Sequence, residues 1–355
     1  MKKLSLLFPA LALAGLVTAQ SHKFEWVHGT GSSGAENTHS VATDKDGNIY
    51  TSGRFRNSFD FDPGPGTSTL TAVSTYYDIF VSKFDKDGNF VWVKQLGGSG
   101  VKTDAYLTLD TANNIYLAGA FNGKIDLDPG AGIFEMTADT TQEMFVAKYN
   151  QDGDFIWAKQ MGGYNSYSTP KAIATDDFGN VYTTGAFIDT VDFDPGAGLF
   201  PLHTAGGQDF YISKLDKDGG FVWAKSCGYA DSITTSFSIA ADGLGNTYTV
   251  GSFTGIVDFD PGAGVSELSA VRPQTFILKL DIAGDFAWAR QVENKSSAPR
   301  PSNTSRSVTI DKSGDVYVAG NFMGAADFDP GVAEEVMTAD SLDAYVLKLS
   351  KDGDF

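Results

Sequence analysis

The chain has 355 residues, with 26 Lys and Arg against 44 Asp and Glu and a formal charge of −18. That balance excludes a polyphosphate-binding surface, which needs basic side chains, and fits solubility outside the cell or a supply of carboxylates for divalent cations. The single cysteine, Cys227, excludes an internal disulfide and reads as buried packing rather than as a nucleophile, because its register is apolar in the sibling repeats described below.

Residues 1–19 read as a secretory signal. Lys2 and Lys3 give the basic start, Leu4 to Val17 the apolar run, and Val17-Thr18-Ala19 a small-residue cleavage site. The apolar run is too short to span a membrane, and no later segment reads as a span. The mature chain is expected to begin at Gln20, with residues 20–355 forming one repeat array. Loss of Lys2 and Lys3 takes the charge from −18 to −20. A soluble, secreted or cell-surface-associated monomer is expected.

Five tryptophans, Trp26, Trp92, Trp157, Trp223 and Trp288, follow at intervals of 66, 65, 66 and 65 residues. Each stands two residues after a Phe, and an Asp-x-Asp-Pro-Gly marker recurs in step at Pro63, Pro129, Pro195, Pro261 and Pro330. Such a period is the signature of a repeat architecture. Within each unit four short runs rich in β-branched and aromatic residues predict strands, here called a to d. In the second unit they are 106–110, 115–121, 144–149 and 155–159. Strands b and c carry adjacent as well as alternate apolar residues, so both faces of the sheet are covered. Asp44-Lys45-Asp46-Gly47-Asn48 and Asp85-Lys86-Asp87-Gly88-Asn89 predict tight hairpin turns, with Asp closing a type I turn and Gly in the left-handed position. An EF-hand loop is rejected, because the glycine falls too early and no closing Glu follows.

Repeated four-stranded antiparallel units, apolar on both faces, predict an all-β fold of β-propeller blades. The run Ala-Ile-Ala-x-Asp-x-x-Gly-Asn-Val-Tyr-x-x-Gly-x-Phe at 172–187, with variants at 40–55, 238–253 and 307–322, resembles the SBBP-type bacterial β-propeller repeat. The resemblance covers essentially the whole mature chain. The Asp-Phe-Asp-Pro-Gly segment, read as an insertion between b and c, resembles the version found in secreted, surface-associated proteins of Bacteroidota-like bacteria. At the ends, Phe24 to His28 is a lone d-type strand and the fifth unit lacks its own d strand. This strand is expected either to close a five-bladed ring or, since Lys351 to Phe355 begins another c–d turn, to belong to a chain with further blades.

Hairpin parity puts the a–b and c–d turns on one face and the b–c and d–a connections on the other. The second face varies most and is the expected binding surface. Tyr164, Tyr167 and Tyr229 are candidates for stacking on a sugar or packing at a protein interface. Lys295, Arg300 and Arg306, in a long d–a loop, form a candidate basic patch for an anionic glycan or carboxylate. Five pairs, Asp60 with Asp62, Asp126 with Asp128, Asp192 with Asp194, Asp258 with Asp260 and Asp327 with Asp329, place two carboxylates on one side of an extended segment. They suit calcium, or else a scaffold role in which a c-strand lysine (Lys83, Lys148, Lys214, Lys279, Lys348) neutralises the first Asp. His22, His28, His39 and His203 are scattered and no nucleophile elbow occurs, so no catalytic set is expected. The expected function is a non-catalytic scaffold binding an extracellular glycan or surface protein, without nucleic acid. The alternatives are the accessory propeller of a larger secreted hydrolase and a structural cell-surface spacer.

Overall fold

The computed structural model describes residues 25–29, 36–163, 166–230, 232–295 and 302–355, so the expected signal segment lies outside the described residues. Every described regular element is a strand. Blade 1 holds β1 (Glu36–Thr43), β2 (Ile49–Phe55), β3 (Ser58–Asp60), β4 (Thr69–Thr71), β5 (Asp78–Phe84) and β6 (Phe90–Leu96). Blade 2 holds β7 (Lys102–Leu109), β8 (Ile115–Asp126), β9 (Glu135–Tyr149) and β10 (Phe155–Met161). Blade 3 holds β11 (Tyr167–Thr175), β12 (Val181–Asp192), β13 (Pro201–Leu215) and β14 (Phe221–Cys227). Blade 4 holds β15 (Ile233–Ala241), β16 (Thr247–Asp258), β17 (Glu267–Leu280) and β18 (Phe286–Asn294), and blade 5 holds β19 (Ser302–Ile310), β20 (Val316–Asp327) and β21 (Val336–Leu349). The pairing is antiparallel in the order a-b-c-d in blades 1 to 4, as the sequence predicts, and a-b-c in blade 5. Strand a of each of blades 2 to 5 packs on strands a, b and c of the blade before it, so the a strands form the inner wall and the d strands the rim.

Strands b and c run further than expected. The b strand continues to the first Asp of the marker and pairs with a lengthened c strand, for example Asp126 with Glu135 and Asp192 with Pro201. The marker is therefore the tip of a long hairpin rather than an insertion. A bulge bends this hairpin midway, between Phe121 and Gly123 in blade 2 and between Ile188 and Thr190 in blade 3. The residue taking positive φ at that level is Asn57, Gly123, Asp189, Gly255 or Gly324, each a type that tolerates the left-handed region.

In blades 1, 2, 3 and 5 the tyrosine of the b strand ties the a–b turn to the core. Asp110 Oδ1 accepts the amides of Ala112 and Asn114, and Asp110 Oδ2 accepts Asn114 Nδ2 at 2.7 Å and the Tyr116 hydroxyl at 3.3 Å. Asp44, Asp176 and Asp311 make the same tyrosine contact with Tyr50, Tyr182 and Tyr317. Burial pushes the Asp44 and Asp311 carboxyls up, but the donated hydrogen bonds outweigh it and hold both below the usual range. Each c-strand lysine lies over the same ring, from 4.7 Å for Lys148 on Tyr116 to 5.4 Å for Lys348 on Tyr317. The lysines thus sit at the tight-turn end of strand c. They do not neutralise the paired aspartates, which occupy the far end of the hairpin.

Blades are joined by a clasp at this end. Trp157 Nε1 and Lys148 Nζ both donate to Lys217 O, at 3.2 Å each, and Trp223 Nε1 and Lys214 Nζ both donate to Ile282 O, again at 3.2 Å each. The acceptor lies in the c–d turn of the next blade, and the left-handed glycine of that turn lies against the indole: Gly219 on Trp157, Gly284 on Trp223, Gly353 on Trp288. Trp26 meets Gly88 in the same way. The described residues 25–29 carry no strand and do not pair with β21, so among the described residues the expected closing strand does not complete blade 5. Trp26 gains its contact with blade 1 without completing blade 5, and Val346 on β21 stays 78% exposed.

Strand a bulges against a glycine of strand b in four blades. The extra residue is His39, Lys171, Phe237 or Arg306, and the facing glycine is Gly53, Gly185, Gly251 or Gly320. The bulge presses a carbonyl onto that glycine: a Cβ on Gly185 would lie 2.0 Å from Thr169 O, and one on Gly320 would lie 2.2 Å from Thr304 O. In β7 the bulge falls earlier, between Lys102 and Ala105, and a Cβ on Gly119 would meet only the Phe145 ring within 3 Å. Gly185→Ala is therefore expected to lower stability by about 1–3 kcal/mol, the usual cost of overpacking, and Gly119→Ala by clearly less, since a ring edge can shift where a carbonyl cannot. Equal losses in urea unfolding would contradict this.

At the other end of each junction the strand c residue opposite Phe55, Phe121, Phe187 or Phe253 needs a partner. Gln95 Nε2 donates to Asp78 Oδ2 at 2.7 Å and Gln160 Nε2 to Glu143 Oε2 at 2.5 Å, while Gln291 Nε2 meets Gln274 Oε1. Asp78 also holds Lys102 Nζ at 2.8 Å, with both side chains fully buried. In blade 3 these donors are replaced by Ser226 and Thr234. Asp209 is 2% exposed, its Oδ2 accepts the Ala205 amide at 2.9 Å, and its Oδ1 has no partner among the described residues. Burial raises the Asp209 carboxyl above its usual range despite that amide. A raised folded value favours the neutral form, so its contribution is complete below the unfolded carboxyl range and is lost as pH rises through the folded value. Ser226→Gln restores the sibling donor and should add about 1 kcal/mol at neutral pH, with the gain shrinking in acid. A gain independent of pH, or a loss, would contradict the assignment.

Candidate functional site

The face made by the b–c and d–a connections is built on the hairpin tips. In each Asp-x-Asp-Pro-Gly marker the middle residue turns inward, and Leu127, Phe193 and Phe259 are fully buried. Phe193 packs at 4.9 Å from Tyr211 and Phe259 at 5.0 Å from Phe276. The two flanking aspartates point outward by strand alternation. Asp258 Oδ1 accepts the Asp260 amide at 3.0 Å and the Ser266 amide at 2.8 Å, and Asp260 Oδ1 accepts the Gly262 amide at 2.7 Å. The same bonds recur in the other four tips. Asp60, Asp126, Asp192 and Asp327 each accept two amides across the turn. Asp62, Asp128, Asp194 and Asp329 each accept one, from Gly64, Gly130, Gly196 and Gly331.

These bonds give the pairs a scaffold role, one of the two readings that the sequence offered. Asp62, Asp128 and Asp194 fold over the glycine end of their own turns: a Cβ on Gly66 would lie 2.2 Å from Asp62 Oδ2, one on Gly132 2.1 Å from Asp128 Oδ2, and one on Gly198 2.2 Å from Asp194 Oδ2. Asp260 stands in the same way against Gly264. Both carboxylates of every pair are thus engaged in closing the tip, where they satisfy backbone donors that the turn leaves unpaired. Calcium takes six to eight oxygen ligands. Among the described residues no group of three or more His, Cys, Asp or Glu side chains converges, and by their hydrogen bonds Asp60, Asp62, Asp126, Asp128, Asp192, Asp194, Asp258, Asp260, Asp327 and Asp329 each close the turn of their own tip.

The other residues singled out from sequence do not form one cluster. Tyr164 and Arg300 lie outside the described residues. Tyr167, at the start of β11, and Tyr229, in the d–a connection between blades 3 and 4, are each 41% exposed. The Tyr229 hydroxyl donates to Glu267 Oε1 at 3.3 Å. Lys295 lies among acids, at 2.9 Å from Glu293, 3.2 Å from Glu334 and 3.6 Å from Asp327. Hydrogen bonds to Glu293 and Glu334 push its ammonium up, so its charge is committed within the protein. Together with Arg290 and Asp329 these groups line a polar cleft of about 370 Å³. Arg306 is not in the loop at all. It is the bulged residue of β19, and its guanidinium lies 5.2 Å from the Phe237 ring on β15. The basic patch expected from the loop is thus divided between an internally neutralised lysine and an arginine on the inner wall.

Two other surfaces were not foreseen. A cleft of about 630 Å³ opens on the tight-turn face, between the a–b turns of blades 4 and 5, lined by Asp242, Asp311, Lys312 and Lys351. An aromatic pocket of about 300 Å³ lies on the flank of blade 1 among Trp26, His28, Phe59, Phe61, Phe80 and Phe84. Neither was legible, because each forms where separate repeats or the N-terminal segment meet. Cys227 behaves as expected: it is buried, its Sγ lies 3.6 Å from Phe259 O, and burial pushes the thiol well up.

Residues 156–186, from strand d of blade 2 into strand b of blade 3, match the family described as SBBP, beta-propeller repeat. The chain is 25% identical over 193 residues to an uncharacterized WD repeat-containing protein, L264, of Acanthamoeba polyphaga mimivirus, covering 48% of this chain and 14% of that protein. It is 24% identical over 142 residues to the regulatory protein FlaEY of Caulobacter vibrioides, covering 40% of this chain and 14% of FlaEY. The chain thus spans about one seventh of the length of these curated relatives. Among solved structures, a subtype N11 neuraminidase-like protein of A/flat-faced bat/Peru/033/2010 (H18N11) superposes with a TM-score of 0.36 at 12% identity, covering 89% of this chain and 88% of that one. The stretch 156–186 is thus similar to the SBBP beta-propeller repeat, and the strand order and markers around it recur in the neighbouring blades.

Proposed function

We propose that this chain is a secreted, non-catalytic propeller scaffold that binds an extracellular glycan or a surface protein through the face made by its b–c and d–a connections. The observation that carries the reading is the contrast between the two kinds of connection on that face. The b–c tips are nearly identical, each closed by its own aspartates, and they supply a rigid rim. The d–a connections differ in length and in residue type, and they present half-exposed tyrosines such as Tyr167 and Tyr229 between those tips. A rigid frame bearing variable loops is the usual division between scaffold and recognition. Tyrosine suits recognition because it brings a large ring and a polar tip with few rotatable bonds.

Replacing Tyr164, Tyr167 and Tyr229 with Ala is expected to abolish retention of the protein on cell-surface polysaccharide or partner protein. Stability should change by no more than about 0.5 kcal/mol per site, as for other exposed loop changes. Lys45→Ala and Lys86→Ala, on the tight-turn face, should leave retention unchanged. Retention lost with the lysine variants and kept with the tyrosine variants would place binding on the opposite face.

A further inference from the structure

The inner wall carries a feature that blade packing does not require. Where the clasp and the tips use one residue type in repeat after repeat, the bulge of strand a holds His39, Lys171, Phe237 and Arg306 in blades 1, 3, 4 and 5. Each stands directly after the residue that faces the b-strand glycine, so all four share one level on the inner wall. A bulged residue leaves the ladder and its side chain is re-aimed. In blade 2 the bulge holds Thr103 and Asp104.

Three of these residues come from successive innermost strands, in the order Lys171, Phe237, Arg306, which makes a cation, an aromatic ring and a cation. Arg306 is exposed, and Lys171 and Phe237 are half-buried. The Arg306 guanidinium is stacked on Phe237 at 5.2 Å. Among the described residues neither Lys171 nor Arg306 forms an ion pair. Two uncommitted cations at one level of the inner wall stand out in a chain of charge −18, because most other lysines among the described residues are paired with an acid or a carbonyl. A guanidinium stacked on a ring keeps its edge free for two parallel hydrogen bonds, the geometry that a carboxylate accepts. The ring beside it offers an apolar surface to a sugar.

We propose that this level of the inner wall is a binding site for an acidic sugar, with Arg306 and Lys171 taking the carboxylates and Phe237 the face of a pyranose ring. The site is separate from the d–a loops, so it stands or falls independently of the tyrosine surface proposed above.

The test is calorimetric titration with an oligogalacturonate, its fully methyl-esterified form and inorganic phosphate. The wild-type protein should bind the oligogalacturonate, ignore the ester, which keeps the ring and loses the charge, and bind phosphate at most weakly. Lys171→Ser with Arg306→Ser should weaken binding more than about tenfold, as should Phe237→Ser alone. Serine already stands beside the bulge in β15 and β19, and an unchanged melting temperature verifies the fold. The tyrosine variants should bind the oligogalacturonate normally. Equal binding of acid and ester, phosphate competing as well as the sugar, no binding by wild type, or full binding by the double serine variant would each overturn the proposal.

Discussion

One carbonyl in the c–d turn of each of blades 3, 4 and 5 holds this architecture together. It accepts the indole N–H and the lysine ammonium of the preceding blade, while the glycine of the same turn lets the indole ring lie flat against the backbone. A four-stranded sheet apolar on both faces is not stable alone, and its neighbours must cover it. The clasp fixes how far apart two blades stand and at what angle. The buried Tyr116, Tyr182 and Tyr248 then fill the space behind it. Because the lysine also lies over its tyrosine ring and the tyrosine binds the a–b turn aspartate, turn, core and neighbour are linked through a few side chains. Burial lowers the ammonium groups of Lys148 and Lys214 even so, which marks how far this cluster is withdrawn from water.

Once blades are held in this way, the positions that do not pack are free to differ, and the chain uses that freedom unevenly. The hairpin tips hardly vary, since the two aspartates must accept backbone amides at fixed offsets and the residue between them must fill the core. The strand c position opposite the b-strand phenylalanine varies in chemistry but usually keeps a donor, and Asp209 is the position where the donor is missing. The inner-wall bulges vary most, and their cost is a glycine on strand b with a carbonyl pressed against it.

Much of this was legible in the sequence, for physical reasons that can be named. The Trp period, the Asp-x-x-Gly turns and the two-sided apolar strands announced four-stranded blades, because each marks a position where packing or backbone geometry admits few residue types. The hairpin extension was misread since Pro and Gly in the marker resemble a loop. The signal for it was nevertheless present in Asn57, Gly123, Asp189, Gly255 and Gly324, which take positive φ at the bulge in step with the repeat. The marker aspartates suggested a cation because residue spacing puts two carboxylates on one side, but spacing does not show that the turn's own amides already occupy Asp62, Asp128 and Asp194. The lysine partner was misassigned because strand position alone does not say which end of a hairpin a long side chain reaches. The bulges of strand a were hidden for another reason: the residues there share no chemistry, and their level is defined only by the partner strand.

The account rests on the inter-blade clasp, and a double-mutant cycle on Trp223→Phe and Lys214→Met tests it most directly. Both wild-type groups donate to Ile282 O, so the account predicts that each single change destabilises the protein and that the pair couples by more than about 0.5 kcal/mol, as expected for residues sharing one acceptor. Strictly additive losses in equilibrium unfolding, or no loss from either change, would show that the shared carbonyl does not hold the blades together.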